Sequence, residues 1–183
     1  MTEAPASSVD ASSIVLVADA GPLITLAYAD ALDILLKPGW RVQIVDMVLH
    51  EVTRNTTPTS EKIRRWVAES SIPVLNTQTF QQYLAAHTEP GAKPRKTNLG
   101  EIATQETMTG LALSAPETKG VFLFEDHKIA RASFLLPDNF RKVSTRAWLL
   151  FLEGKGSITS AADIERAAIA NGRNFSRLRF PAE

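Results

Sequence analysis

The chain reads as an α/β protein built on a mostly parallel sheet, and three observations predict this. Two continuous apolar runs, Ile14-Val15-Leu16-Val17-Ala18 and Val121-Phe122-Leu123-Phe124, have the composition of strands buried on both faces. Segments with apolar residues at helical spacing follow the strand-like runs, the alternation that builds βαβ crossovers. Both runs end in acids, Asp19 in one case and Glu125-Asp126 in the other. In sheets of this kind the ligand site lies at the carboxyl ends of the strands.

The elements follow in order. Residues 1–13, rich in Ala, Ser and Thr, lack periodicity and read as a disordered leader, so folding is expected to begin at Ile14. Gly21-Pro22 opens two short helices, Leu23 to Ala29 and Ala31 to Leu36, with a break near Asp30. Pro38-Gly39 makes a turn into a second strand, Val42 to Val45, and Asp46 is an N-cap for a helix through Arg54. Ile63, Trp66 and Val67 mark a helix over Ser60 to Ser70, and Pro73-Val74-Leu75 a short edge strand. A helix through Phe80, Tyr83 and Leu84 is followed by a loop from His87 to Asn98 that holds two Pro and one Gly. A helix over Leu99 to Leu113 leads into the second buried strand. Beyond it come a helix from His127 to Phe134, a weak strand near Lys142-Val143, and helices at Thr145 to Glu153 and Ser160 to Asn171. Trp40, Trp66 and Trp148 sit in apolar patterns and are expected in the core.

A chain of 183 residues suits a single domain, here residues 14–183, and 44% hydrophobic residues suffice for a real core. The absence of Cys excludes disulfides, zinc ribbons, iron-sulfur clusters and thiol catalysis, and suits a reducing cytoplasmic setting. Met1 to Ser13 carries no Lys or Arg, so it lacks the basic start of a signal peptide, and the apolar stretch Ile14 to Leu36 is broken by Asp19, Asp30 and Asp33, so a membrane partner is not expected. Formal charge is zero, but the first 36 residues hold five acids and no Lys or Arg, which leaves the remainder net basic.

Two acids at neighbouring strand ends repel unless a cation lies between them. Two more, Glu51 in Val48-Leu49-His50-Glu51-Val52 and Glu101 in Asn98-Leu99-Gly100-Glu101-Ile102, sit in helices expected at the same edge. Oxygen donors with no Cys and no His pair at helical spacing select Mg²⁺ or Mn²⁺ over zinc. Each acid also has a plainer role: Asp19 and Asp126 as helix caps, Glu101 in a capping box with Asn98, and Glu51 in a surface pair with Arg54. Convergence of all four at one edge separates the two readings. A dinucleotide fold would need Gly-x-Gly-x-x-Gly after the first strand, and a phosphatase an acid two residues beyond Asp19, where Gly21 stands.

The segments Val17-Ala18-Asp19-Ala20-Gly21-Pro22-Leu23-Ile24, Val48-Leu49-His50-Glu51-Val52, Leu99-Gly100-Glu101-Ile102-Ala103 and Leu123-Phe124-Glu125-Asp126-His127-Lys128-Ile129-Ala130-Arg131 resemble, in order and spacing, PIN-domain nucleases. The similarity is to the compact prokaryotic branch related to the toxins of VapBC toxin-antitoxin systems, and it runs from Ile14 to about Ile169. It implies a three-layer α/β/α sandwich with a central, mostly parallel five-stranded sheet and an acidic central cleft. It further implies a Mg²⁺- or Mn²⁺-dependent endoribonuclease whose catalytic and metal-binding residues are Asp19, Glu51, Glu101 and Asp126. Two departures stand out: the family often has Asp-x-Ser where this chain has Asp19-Ala20-Gly21, and Asp-Asp where it has Glu125-Asp126. Asp126 is carried over by its offset from Ala130-Arg131, with Glu125 and Thr145 as helpers.

A nuclease with an acidic cleft needs cations outside it to grip RNA phosphates. Lys93, Arg95 and Lys96 precede Glu101, Arg131 and Arg146 flank the cleft, and Arg173, Arg177 and Arg179 lie near the tail with Phe175. By resemblance alone the partners are RNA, an antitoxin protein and a second copy in a homodimer. A reading of a different class is a PIN-like module that binds RNA or protein without catalysis.

Overall fold

A computed structural model describes residues 13–88, 98–125 and 135–173. Several expected features lie outside these residues: most of the leader, the loop cations Lys93, Arg95 and Lys96, the acid Asp126, the helix from His127 with Arg131, and the tail residues Phe175, Arg177 and Arg179.

Five strands form one sheet: β1 (Ile14–Ala18), β2 (Arg41–Val45), β3 (Val74–Leu75), β4 (Lys119–Phe124) and β5 (Phe140–Ser144). Their order is β3-β2-β1-β4-β5, and every pairing is parallel. β1 is central, and Val15 to Ala18 are wholly buried because both faces of the sheet are covered. Among the described residues seven α-helices provide that cover: α1 (Ala20–Tyr28), α2 (Asp46–Thr53), α3 (Pro58–Glu69), α4 (Gln78–Thr88), α5 (Leu99–Ser114), α6 (Thr145–Gly154) and α7 (Ala161–Ala170). The result is the α/β/α sandwich expected from the strand-helix alternation. None of these helices is long and apolar enough to cross a membrane.

Local chemistry sets the boundaries. Pro22 lies in the first turn of α1, where backbone N–H groups have no helical partner and its missing donor costs nothing. Asp30 adopts a left-handed φ of 53°, which ends α1 and lets the 3₁₀ turn Leu32–Leu36 begin. Thr57 and Ser60 form a reciprocal capping box at α3, with Pro58 at its first position. Trp66 and Trp148 are buried, and Trp40 packs on Trp148 with ring centroids 5.3 Å apart.

Asp46 departs from its expected role. It is the first residue of α2 rather than the residue before it, and its carboxylate reaches across the fold. Oδ1 accepts from the Met47 N–H and the Thr77 hydroxyl, and Oδ2 from the Thr77 N–H, each at 2.7 Å. A buried carboxylate requires such donors, and these tie the end of β2 to the start of α4.

The start of α4 is held by a carboxylate from α5. Glu106 accepts from the Gln78 N–H at 2.6 Å, the Thr79 N–H at 3.1 Å and the Thr79 hydroxyl at 2.8 Å. Burial opposes ionisation of Glu106, but these three hydrogen bonds outweigh it and hold the carboxyl below its ordinary value. A lowered folded-state value means that the stabilisation is present above the unfolded value of 4.5 and is lost as pH falls through the folded one. Glu106→Ala is therefore expected to cost about 1 kcal/mol at neutral pH, as loss of a helix cap does. Thermal melting across pH should show its gap to wild type closing as the solution is acidified below the ordinary glutamate range.

Candidate functional site

The site is built from strand ends and helix starts. Parallel register sets Ala18 of β1 beside Leu123 of β4, and the ladder continues one step further through the Asp19 N–H to the Leu123 carbonyl at 2.9 Å. Asp19 is thereby fixed at the carboxyl end of the central strand, next to the end of β4. It occupies the residue before α1, but its carboxylate makes no capping hydrogen bond there. The plainer role open to it in the sequence, a helix cap, is not the one it takes.

α2 packs on the start of α5, where Glu51 feels the charge of Glu101. Glu51 stands in the second turn of α2, and its carboxylate lies against Gly100 in the first turn of α5, where backbone N–H groups lack helical partners. Burial raises the pKa of Glu51 above the ordinary glutamate value; the Gly100 N–H and Arg54 counteract this, and the neighbouring charge of Glu101 adds to it. Gly100 is required by this contact. A Cβ placed on it would lie 2.7 Å from Glu51 Oε2. Asn98 precedes α5 with a left-handed φ of 63° and makes no side-chain cap, so the capping box expected with Glu101 does not form.

Glu125 stands on a different footing from a solvent-facing helper. Its side chain is 8% exposed, and Oε2 accepts from the Thr25 hydroxyl at 2.9 Å and from Arg173 Nη2 at 2.9 Å. Oε1 is buried without a hydrogen-bond partner. Close by, Arg146 Nη1 lies 3.8 Å from Glu165 Oε2. Burial raises the pKa of Glu165; Arg146 opposes this and the charge of Glu125 reinforces it. Thr145 is buried at the first position of α6, with its hydroxyl 3.5 Å from the Phe124 carbonyl at the end of β4. His50, beside Glu51 in sequence, turns to α4 instead: Nε2 is 3.3 Å from the Tyr83 hydroxyl.

The two departures from the family pattern pack on each other. A Cβ on Gly21 would stand 2.9 Å from Glu125 Cβ and 3.3 Å from its Oε2, so the longer acid fills the space that a serine would occupy. In the sequence the two departures are independent of each other, and neither Thr25 nor Gly100 is marked as a neighbour of the acids. A hydroxyl inside the apolar run Leu23-Ile24-Thr25-Leu26-Ala27 was the one signal available for Thr25. In an unobstructed helix Gly→Ala is stabilising by about 1 kcal/mol. Here Gly21→Ala and Gly21→Ser are expected instead to destabilise by about 1–3 kcal/mol through overpacking, measured by chemical denaturation.

The donors fit a hard divalent cation. They are oxygen only, and Glu51 is a half-buried carboxylate whose ionised form is opposed both by burial and by a second acid, a combination that a cation relieves. Among the described residues no group of three or more His, Asp or Glu stands close enough to hold an ion, so Asp19, Glu51 and Glu101 are not brought together as a three-ligand site. The fourth expected acid, Asp126, lies outside those residues.

No curated protein and no solved structure gives a significant match to this chain. A family profile described as PIN domain matches residues 15–91, the part that carries β1 to α4 and with them Asp19 and Glu51. PIN domains are generally nucleases. The match covers less than half of the chain; with the five-stranded all-parallel sheet it supports a PIN-like fold, and a nuclease-type function is what such a domain suggests.

Proposed function

We propose that the protein is a Mg²⁺- or Mn²⁺-dependent endoribonuclease with Asp19, Glu51, Glu101 and Asp126 as its metal-binding and catalytic acids. The observation that carries this reading is the half-buried Glu51 carboxylate packed against Gly100 at the start of α5, where burial and the charge of Glu101 oppose its ionisation more than Gly100 and Arg54 favour it. When bound, the cation lowers the pKa of water toward neutrality and offsets charge on the phosphodiester. The protein's part is positional. Gly100 leaves the room that the Glu51 carboxylate occupies, and the β1–β4 ladder holds Asp19 at the sheet edge. Thr145 braces the end of β4, from which the chain leads to Asp126.

RNA as substrate, with contacts from Lys93, Arg95, Lys96 and Arg131, rests on the resemblance to toxin-related PIN proteins. So does the wider role: the toxin of a toxin-antitoxin pair, acting in the cytoplasm, held by an antitoxin protein and paired as a homodimer.

Two experiments test the reading. Mixed structured and single-stranded RNA is incubated with Mg²⁺, Mn²⁺ or EDTA. Wild type is expected to cleave only with the metals, and folded Asp19→Asn to lose more than about 100-fold of that activity. Equal cleavage by both proteins contradicts the mechanism, and silence from both points to a binding module. In the second experiment Gly100→Ala, which displaces the Glu51 carboxylate, is expected to keep or raise the melting temperature while lowering cleavage about 10–100-fold, as loss of support around a metal ligand does.

A further inference from the structure

Thr25, in the second turn of α1, is buried to 1% exposure, and its hydroxyl closes a ring of hydrogen bonds. Oγ1 donates to Glu125 Oε2 at 2.9 Å and accepts from Arg173 Nε at 2.9 Å, while Arg173 Nη2 donates to the same Glu125 Oε2 at 2.9 Å. A hydroxyl that gives one bond and receives another has its orientation set by both partners. The ring joins α1, the end of β4 and the stretch after α7. That stretch is itself anchored: the Arg173 N–H bonds the Ala168 carbonyl at 2.9 Å, and Asn171 Nδ2 the Tyr28 carbonyl at 2.8 Å.

Glu125 also meets α1 in its first turn. A Cβ on Gly21 would stand 2.9 Å from Glu125 Cβ, and Gly21 and Thr25 share one face of the helix at a spacing of i and i+4. The Glu125 side chain therefore lies along α1 from its first turn to its second. Asp19 is the residue before that helix, and its N–H is held by the Leu123 carbonyl near the same end of β4. One strand end thus grips Asp19 through the backbone and the helix behind it through a side chain. Net stability is a weak reason for a buried ion pair, since both charges give up water; fixing one arrangement against others is the alternative use.

We propose that Thr25, Glu125 and Arg173 are positioning residues for Asp19: their ring sets how the first two turns of α1 sit on the end of β4, and so where the Asp19 carboxylate stands. In this role none of the three is itself a ligand. The inference rests on the metal-dependent nuclease reading and deepens it, because it gives residues outside the acid set a part in building the cation site.

The test centres on Thr25→Val, which takes the hydroxyl out of the ring and leaves every charge in place. Thr25→Ser restores the hydroxyl, and Leu152→Ala, in the buried face of α6, is a control for lost stability alone. Each protein is shown to fold by melting and then measured twice: hydrogen exchange of the Asp19 N–H in EDTA, and Mn²⁺ affinity by calorimetry. Thr25→Val is expected to lower protection of the Asp19 N–H about 10-fold relative to the amides of β1, as a local opening does. Its Mn²⁺ affinity should fall about 10-fold, the effect of losing support around a metal ligand. Thr25→Ser should stay near wild type, and Leu152→Ala should melt lower with Mn²⁺ affinity unchanged. Arg173→Lys keeps the charge without the Nε donor and should fall between wild type and Thr25→Val; it carries the same two measurements if Thr25→Val does not fold. Unchanged Mn²⁺ affinity in folded Thr25→Val would overturn the proposal, as would an equal loss in Leu152→Ala. A wild type that binds no Mn²⁺ would sink the nuclease reading, and Asp19 protection would then decide alone: lost in Thr25→Val it sustains the hold on Asp19, and retained it overturns it.

Discussion

The close approach of the Glu51 carboxylate to Gly100, which leaves no room for a Cβ, is the contact on which the site depends. It settles two obligations together. The first turn of α5 has donors with no helical partner, and Asn98 does not cap them. Glu51 is a carboxylate set against an apolar face, and it needs a donor. Satisfying each with the other brings α2 onto the start of α5 and carries Glu101 toward Glu51. Charge balance is only partial: burial, and after it the charge of Glu101, outweigh Gly100 and Arg54 and leave the pKa of Glu51 raised.

The sheet provides the second half of the geometry. An all-parallel order with β1 at its centre places the ends of β1 and β4 side by side, so Asp19 and Glu125 come from stretches far apart in sequence to one edge. Glu125 then does something different from its neighbours. It fills the space that Gly21 leaves and binds Thr25 and Arg173, so its negative charge is met by the protein itself. The edge is thus divided between a carboxylate ion-paired from within and Glu51, for which Arg54 and Gly100 offset burial and the charge of Glu101 only in part.

Much of this was legible in the sequence. β1 and β4 announced themselves as continuous apolar runs, because a strand buried on both faces cannot alternate. The edge position of β3 was legible from Pro73, since a residue without an N–H is tolerated at a sheet margin. The acids were legible as residues out of place on apolar faces. Three things were not. Asp46 looked like a helix cap because its long-range partner, Thr77, is 31 positions away and no local pattern points to it. The capping box at Asn98 was equally plausible as a local motif and lost to a contact from another helix. The coupling of Gly21 to Glu125 was invisible because a missing Cβ is read from sequence as an absence, whereas in the fold it is filled volume. Tertiary partners decided all three, and local spacing carries no information about them.

Isothermal titration of Mn²⁺ into wild type, Glu51→Gln and Glu101→Gln reads the cation affinity of these acids without a substrate. Wild type should bind saturably, and each variant at least about 10-fold more weakly. Folded-state burial raises the pKa of Glu51, so its ionised form costs stability that rises with pH above the ordinary value of 4.5. Glu51→Gln should therefore melt no lower than wild type at neutral pH. Equal Mn²⁺ binding by all three proteins, or none by any, would contradict the account.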